Sequence, residues 1–188
     1  MELQVRRLIS ITSVSMRILK MSSKSVLRKE KLSERSSLTD EQVQRMSLNI
    51  CKSVKKYIGN EQVGLFYPIK NEVDLLTLVN ENSSFPRVIE DMSFYKYEGK
   101  FVKGKYNIPE PTGELTKVQT LIVPGSVFDL RGYRIGYGGG YYDKYLKSHH
   151  LKIGVCFDFQ VVDELPIESH DVKLDMLITE KRIINFKE

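Results

Sequence analysis

The segment that decides the fold is residues 118–143, which read Val-Gln-Thr-Leu-Ile-Val-Pro-Gly-Ser-Val-Phe-Asp-Leu-Arg-Gly-Tyr-Arg-Ile-Gly-Tyr-Gly-Gly-Gly-Tyr-Tyr-Asp. The apolar run over 118–123 predicts a buried strand that ends at Pro124. A glycine-rich loop then leads into a predicted helix over residues 140–148. This order favours an α/β sheet, in which ligands bind beyond the carboxyl ends of the strands.

The glycine-rich loop carries the residue types that bind phosphate. Four of the five residues 136–140 are glycine, with Arg134 before them and Asp143 after them. Glycine permits positive φ and close approach of a ligand, and successive N–H groups can surround an anion. Arg134 offers a planar fork for phosphate, and Asp143 a hard oxygen ligand for Mg²⁺. The alternative is a tight turn between a strand and a helix, without a ligand.

The remaining pattern alternates strands and helices. Helices are predicted over about residues 23–35, from a Thr39–Gln42 capping box onward, and over 73–79. Strands are predicted at residues 63–68, 85–89, 92–97, 151–157, 176–179 and 183–186. We therefore expect a single three-layer α/β/α domain with a mostly parallel, Rossmann-like sheet. The polar loops 67–72, 124–140 and 157–171 each follow a strand and are expected to converge at one edge.

Composition narrows the class of protein. The chain has 188 residues, enough for one domain with a core, and its two cysteines form no Cys-x-x-Cys pair. No apolar run is long enough to span a bilayer. Of the net charge of +5, residues 1–20 supply +3, so the body is close to neutral. A nucleic-acid partner needs a clustered basic face and is not expected.

Residues 1–20 are interpreted as a basic N-terminal extension outside the domain, which would span 21–188. Three explanations stay open: an amphipathic organelle presequence, a disordered tail, or a start codon assigned too early, with Met21 as the true start. We expect a cytoplasmic monomer with no membrane partner, and an organellar location only if residues 1–20 are a presequence.

Two standard nucleotide-binding signatures fail. The Gly-x-Gly-x-x-Gly fingerprint would need glycine at position 141, where Tyr141 stands. Residues 99–105 satisfy the first seven positions of a P-loop, but Tyr106 replaces the Ser or Thr that holds Mg²⁺. A hairpin turn with lysines explains this segment better. Ser126 does not lie in a nucleophile elbow, so covalent catalysis by the protein is not indicated.

Charged residues outside the loop are ambiguous from spacing alone. Lys24 and Arg28 are four residues apart and share one helix face, which favours a solvated surface over a phosphate site. Asp171 follows His170 in a polar loop and could be a second Mg²⁺ ligand beside Asp143.

These segments together closely resemble the 5-formyltetrahydrofolate cyclo-ligase family, also called 5,10-methenyltetrahydrofolate synthetase. The glycine block with Tyr141-Tyr142-Asp143 is its most specific motif. The resemblance runs from about Lys24 to the C-terminus and includes Lys24-Ser-Val-Leu-Arg28, Tyr67-Pro68, Glu72-Val73-Asp74, Phe85-Pro86-Arg87, Ile108-Pro109-Glu110-Pro111, Val123-Pro-Gly-Ser-Val-Phe-Asp129, Leu165-Pro166, His170-Asp171 and Ile178-Thr179-Glu180.

The resemblance implies an MgATP-dependent ring closure of 5-formyltetrahydrofolate, with or without a polyglutamate tail, to 5,10-methenyltetrahydrofolate. It implies catalytic roles for Arg134 and Tyr142 and Mg²⁺ ligation by Asp143 and Asp171. The implied ATP-binding residues are Lys24, Ser25, Val26, Leu27, Arg28, Arg134, Ile135, Gly136, Tyr137, Gly138, Gly139, Gly140, Tyr141 and Tyr142. The implied folate-binding residues are Tyr67, Glu72, Tyr137, Gly138, Gly139, Gly140 and Tyr141.

The chain departs from the family at two loop positions. Many relatives carry a basic residue where Tyr137 or Gly139 stands here, so Arg134 is expected to supply more of the cationic stabilisation. Two rival functions remain at this stage: a nucleotide- or folate-binding relative without catalysis, and a sugar-phosphate isomerase on a related sheet. The presence of both Asp143 and Asp171 argues against the first, and a requirement for ATP would exclude the second.

Overall fold

A computed structural model of the chain describes residues 24–146 and 151–187. The expectations for residues 1–20, and for the end of the helix predicted over 140–148, lie outside these residues. The first helix, α1, covers residues 24–36. The second, α2, is Asp40–Val54 and begins at the predicted capping box, in which the Thr39 side chain accepts from the N–H of Gln42 and the Gln42 side chain accepts from that of Thr39. A short third helix, α3, is Tyr141–Tyr145.

Within the described residues, twelve strands form one large sheet and two small ones. In chain order they are β1 (Val63–Gly64), β2 (Ser83–Val88), β3 (Met92–Lys96), β4 (Phe101–Lys103), β5 (Pro109–Pro111), β6 (Thr120–Val123), β7 (Val127–Asp129), β8 (Arg134–Ile135), β9 (Leu151–Val155), β10 (Val161–Val162), β11 (Met176–Ile178) and β12 (Ile183–Asn185). The large sheet has the order β12-β11-β9-β6-β1-β2-β3. Its five inner strands run parallel, and the edge strands β3 and β12 are antiparallel to their neighbours.

This strand order confirms the predicted α/β class with a mostly parallel sheet. It also locates a crevice. From β1 the chain moves to β2 on one side, and later strands β6, β9 and β11 are added on the other side. The direction of winding therefore reverses between β1 and β6, and the loops that leave their carboxyl ends diverge. Ligands bind at such a switch point in open α/β sheets.

The two faces of the sheet are covered by different helices. In β6, Ile122 packs into a core cluster with Ile50 and Val54 of α2. Its neighbours Leu121 and Val123 point to the other face, into a cluster against which α3 packs. This alternation is expected of a strand buried on both faces, and it gives the predicted helix–sheet–helix layering. No helix in the described ranges has the length and apolar character needed to cross a lipid bilayer.

The predicted helix over residues 73–79 is wrong. Only Leu76–Leu78 forms a single 3₁₀ turn. The Asp74 carboxylate accepts a hydrogen bond from the N–H of Leu76, and the N–H of Asp74 donates to the Ser47 hydroxyl, 2.9 Å away. The turn ends because the backbone of Val79 is extended, with φ −65° and ψ 129°, and Val73 and Leu75 are buried as part of a loop.

The individual strands of the two small sheets were not predicted from the sequence. Strands β4 and β5 form an antiparallel ribbon that includes the failed P-loop segment, so the hairpin interpretation is confirmed. Strands β7 and β8 form a hairpin, and β10 adds to it in parallel. The β7–β8 hairpin lies between β6 and the glycine-rich loop and carries Arg134.

Candidate active site

One cleft of about 1140 Å³ lies at the carboxyl ends of β1 and β6. All three polar loops that were expected to converge contribute to it: Tyr67 and Glu72 from the first, Pro124 and the glycine-rich loop from the second, and Asp171 from the third. Residues of β2, β3 and the β4–β5 ribbon also line it. A large concave cleft in which polar and charged side chains converge is the usual form of a small-molecule site.

The glycine-rich loop needs glycine for its backbone shape. Gly138 has φ +103° and Gly140 has φ +67°, and residues other than glycine rarely adopt such positive values. A Cβ added at Gly138 would lie 3.7 Å from Nη1 of Arg28, and Nε of Arg28 donates to the carbonyl of Gly136 at 2.8 Å. The loop and α1 therefore form one continuous wall of the cleft.

Arg134 lies beneath this wall at the start of β8. Its side chain is only 3% exposed, and Nη2 lies 2.9 Å from Oδ1 of Asp143. Its buried Nε has no hydrogen-bond partner among the described residues. Burial lowers the pKa of the Arg134 guanidinium, and the charges of Asp143 and Asp171 act in the opposite sense. A buried donor without a partner is costly, so this N–H is a candidate for binding an anionic ligand.

Tyr142 offers a second unpaired donor. Its buried hydroxyl has no partner in the described part of the chain, and its ring centroid lies 5.5 Å from Cζ of Arg134. Burial raises the pKa of Tyr142, and the charge of Glu72 raises it further. The hydroxyl therefore stays protonated at neutral pH and can donate a hydrogen bond to a ligand.

The resemblance assigned five consecutive residues of α1 to ATP, but not all of their side chains line the cleft. Lys24, Ser25 and Arg28 line the cleft. Val26 is exposed and does not line it, and Leu27 packs against the small apolar cluster around Val127 and Ile135. Consecutive side chains on a helix point in different directions around its axis. Any contact of Val26 and Leu27 with the same ligand would therefore involve the backbone.

The two predicted Mg²⁺ ligands both line the cleft but have different cationic partners. Asp143 pairs with Arg134, whereas Oδ2 of Asp171 lies 2.8 Å from Nζ of Lys24. Glu168 and His170 accompany Asp171, and one ligand atom from each of these three residues lies within 4.8 Å of the others. Asp143 is not a member of that group. The carboxylate oxygens are the donors that Mg²⁺ prefers, so their chemistry fits the ion.

Two of the predicted folate residues, Tyr67 and Glu72, line the cleft from the loop after β1. Tyr67 packs edge-on against Phe101, with ring centroids 5.2 Å apart. Glu72 is 5% exposed; its Oε1 accepts a hydrogen bond of 2.8 Å from the Tyr137 hydroxyl, and its Oε2 accepts from the N–H of Ile69. Burial raises the pKa of the Glu72 carboxyl, with Arg35 as the main opposing influence.

Three cleft features escaped the sequence analysis. Arg35 donates to Tyr137 from the end of α1. It follows Lys24 by eleven residues, about three helical turns, so helical spacing alone could have placed both on one face. Glu168 pairs with Lys24 at 3.5 Å, and no spacing signal distinguished it. Tyr106, noted only as a P-loop mismatch, lies with its hydroxyl 3.0 Å from that of Tyr141.

Comparisons with known proteins identify relatives of this chain. The chain is 36% identical to Aquifex aeolicus 5,10-methenyltetrahydrofolate synthetase, whose solved structure superposes with a TM-score of 0.80 over 88% of this chain and 93% of that one. It is 30% identical to the 5-formyltetrahydrofolate cyclo-ligase of Mycoplasma genitalium, over 84% of this chain and 98% of that protein. It is 28% identical to the Escherichia coli 5-formyltetrahydrofolate cyclo-ligase, over 79% and 96%.

The sequence model of one family matches residues 20–180, which is most of the chain and includes every residue assigned to the cleft. That match, together with relatives that align with this chain over nearly their whole length, identifies the chain as a member of the 5-formyltetrahydrofolate cyclo-ligase family.

Proposed function

We propose that the protein uses ATP and Mg²⁺ to cyclise 5-formyltetrahydrofolate to 5,10-methenyltetrahydrofolate, with release of ADP and phosphate. Membership of the family and the names of the relatives support the folate substrate. The observation that carries the proposal is the pair of buried, unpaired donors, Nε of Arg134 and the hydroxyl of Tyr142, beside a glycine-rich loop. Such donors suit a phosphoryl group that accumulates charge during transfer.

The reaction needs activation because a formamide oxygen is a poor leaving group. Transfer of the γ-phosphoryl group of ATP to the formyl oxygen forms an O–P bond and leaves an iminium phosphate at N5. The N10 amine then attacks the formyl carbon, N10 loses its proton, and the C–O bond breaks as phosphate departs. Phosphoryl transfer asks a protein mainly for positioning and electrostatic stabilisation, and holding N10 beside the activated carbon makes ring closure intramolecular.

We assign the phosphate half of the cleft to Lys24, Arg28, Arg134 and the glycine-rich loop, and the folate half to Tyr67, Glu72 and Tyr137. Two ion pairs support this division, because each joins a candidate phosphate-binding cation to a candidate Mg²⁺ carboxylate: Arg134 to Asp143 and Lys24 to Asp171. Asp143 and Asp171 would hold Mg²⁺, and Glu168 is a further candidate. When bound, the ion would neutralise charge on the phosphates. Tyr137 and Gly139 add no charge, so within the loop Arg134 is the main cation.

The test is the absorbance of the methenyl product after addition of 5-formyltetrahydrofolate, with and without MgATP. We expect product only with both ATP and Mg²⁺, and one phosphate released per ring closed. Tight binding of folate without product would indicate a binding relative, and turnover of a sugar phosphate without ATP would indicate an isomerase. A monomeric state and a cytoplasmic location remain predictions, to be checked by light scattering and by fractionation of cells.

A further inference from the structure

Arg35 joins three segments of the cleft through one side chain. It is 1% exposed and is the largest fully buried side chain of the described residues. Its Nε donates to the carbonyl of Lys70 at 3.0 Å, in the loop after β1, and Nη1 donates to the carbonyl of Gly125 at 3.4 Å, in the loop after β6. Its Nη2 donates to the hydroxyl of Tyr137 in the glycine-rich loop. The planar fork of arginine allows this three-way arrangement, which lysine cannot reproduce.

The Tyr137 hydroxyl links Arg35 to Glu72 by hydrogen bonds. It accepts from Arg35 and donates to Oε1 of Glu72 at 2.8 Å, so a guanidinium, a hydroxyl and a carboxylate form a chain. Oε2 accepts from the N–H of Ile69 at 3.1 Å. A carboxylate oxygen can accept two hydrogen bonds, which leaves capacity on both oxygens for donors of a ligand in the cleft.

The charge of Glu72 depends on its neighbours. Burial raises the pKa of this carboxyl, and Arg35 of α1 is the strongest influence in the opposite direction. The hydrogen bonds from Ile69 and Tyr137 and the charge of Lys70, in the same loop as Glu72, also lower the pKa. In return, the charge of Glu72 raises the pKa of Tyr137 and of Tyr142 in α3.

We propose that Arg35 is a positioning residue for the reaction: acting through the Tyr137 hydroxyl, it holds Glu72 as an anion oriented toward the N–H donors of the substrate's pterin ring. The inference rests on the proposed function for the identity of that substrate, whose ring carries an amino group and a ring N–H on one edge. The competing explanation is that Arg35 merely ties two loops together through the carbonyls of Lys70 and Gly125.

The test compares Arg35→Met, which removes the charge, with Arg35→Lys, which keeps the charge and loses the fork. The control is Arg45→Met, since Arg45 is exposed on α2 and does not line the cleft. KM for 5-formyltetrahydrofolate and for ATP, the pH dependence of kcat/KM for folate, and the unfolding temperature are measured for each variant.

For Arg35→Met we expect KM for folate to rise on the order of tenfold or more, with a smaller change in KM for ATP. The fall of kcat/KM at low pH should move to higher pH by about one unit, because Glu72 without its cation is protonated sooner as the pH falls. Arg35→Lys should raise KM for folate but leave the low-pH fall near that of the wild type. Arg45→Met should change neither.

Tyr137→Phe keeps the test decisive if Arg35→Met does not fold. It removes the hydroxyl that links Arg35 to Glu72 and leaves the hydrogen bonds from Arg35 to the carbonyls of Lys70 and Gly125 in place. KM for folate should therefore rise, and the fall of kcat/KM at low pH should move to higher pH. Its effect should be non-additive with that of Arg35→Lys. Unchanged folate KM and pH profile in these variants, with only a lower unfolding temperature, would overturn the inference while the wild type still makes product. Absence of product from the wild type would instead overturn the proposed function.

Discussion

Nη2 of Arg134 lies 2.9 Å from Oδ1 of Asp143. The predicted phosphate-binding arginine is thus neutralised by a predicted metal ligand. Under the proposed function, arrival of MgATP would give each partner a new counter-charge, phosphate for the arginine and Mg²⁺ for the carboxylate. The pair would keep Arg134 charged in its buried position until the ligand arrives. Breaking a buried pair by removing one partner is costly, so substitutions here should affect both stability and function.

Asp143→Asn should raise the Mg²⁺ concentration for half-maximal activity on the order of tenfold, because an amide lacks the charge that the cation requires. It should also lower the free energy of unfolding by about 2 kcal/mol, because Arg134 loses its charged partner. The control is Asp163→Asn, an exposed aspartate outside the cleft. Near-normal activity of the Asp143 variant at limiting Mg²⁺ would refute its assignment as a metal ligand.

Arg134→Lys should lower kcat on the order of 100-fold, because an ammonium can pair with Asp143 but cannot replace the N–H groups of a planar fork. The comparison is Arg182→Lys, which alters an exposed arginine that pairs with Asp158 away from the cleft. Single-turnover kinetics at saturating ATP isolates the chemical step. Equal kcat in the two variants would remove Arg134 from the catalytic assignment.

Lys24→Ala and Arg28→Ala should each raise KM for ATP on the order of tenfold, with a smaller effect on KM for folate. The exposed Lys29 of the same helix gives a matched Lys29→Ala control. Steady-state kinetics with each substrate varied in turn measures the difference. If folate affinity alone is weakened, α1 lines the folate half of the cleft, and the division of the site is reversed.

Gly138→Ala can separate a phosphate-binding loop from a structural turn. Gly99 has φ +82° with open space around it and does not line the cleft, so Gly99→Ala imposes similar backbone strain elsewhere. Each variant should lose about 1 kcal/mol of stability. Only Gly138→Ala should also lose activity per folded molecule, since its added methyl group lies in the cleft. Equal activity of the two folded variants would favour the turn.

Asp129→Asn should reduce stability rather than substrate affinity. Asp129 is fully buried and accepts hydrogen bonds from the backbone N–H groups of Arg131, Tyr133 and Leu165 and from the Arg131 side chain. An amide replaces one acceptor oxygen by a donor and removes the charge opposite Arg131. We expect a loss of about 3 kcal/mol in urea-induced unfolding. A variant as stable as the wild type would show that this network contributes little.

The fold was predictable where a residue pattern is long enough to be distinctive. The capping box at Thr39 and Gln42 marked the start of α2, and the apolar run before Pro124 marked the central strand β6. Strands such as β8 and β10 contain two residues each, too few to show alternation. The helix predicted over 73–79 was wrong because the single turn at Leu76–Leu78 ends at Val79, whose backbone is extended.

The site was predictable to the extent that its residues stand in one motif. The glycine-rich loop, Arg134 and Asp143 lie within ten positions, so the sequence shows them together. Glu168 and Arg35 lie far from that motif, and only the strand order brings them to it. The burial of Arg35 also has no local signal, because it follows Glu34 on a charged helix while its anionic partner Glu72 belongs to a different loop.

The contacts that close the cleft join distant parts of the chain: Lys24 to Asp171, 147 residues apart, and Arg28 to Gly136, 108 residues apart. Neither contact can form on a nascent chain before its last third begins to leave the ribosome. Loops of this length must close before their contacts stabilise them, which slows folding. A ligand that contacts both the N-terminal and the C-terminal part of the chain would bind only the completed chain, and it would stabilise that chain by mass action. Substrate supply during synthesis should therefore raise the yield of active protein, and a chain truncated before Asp171 should gain nothing from it.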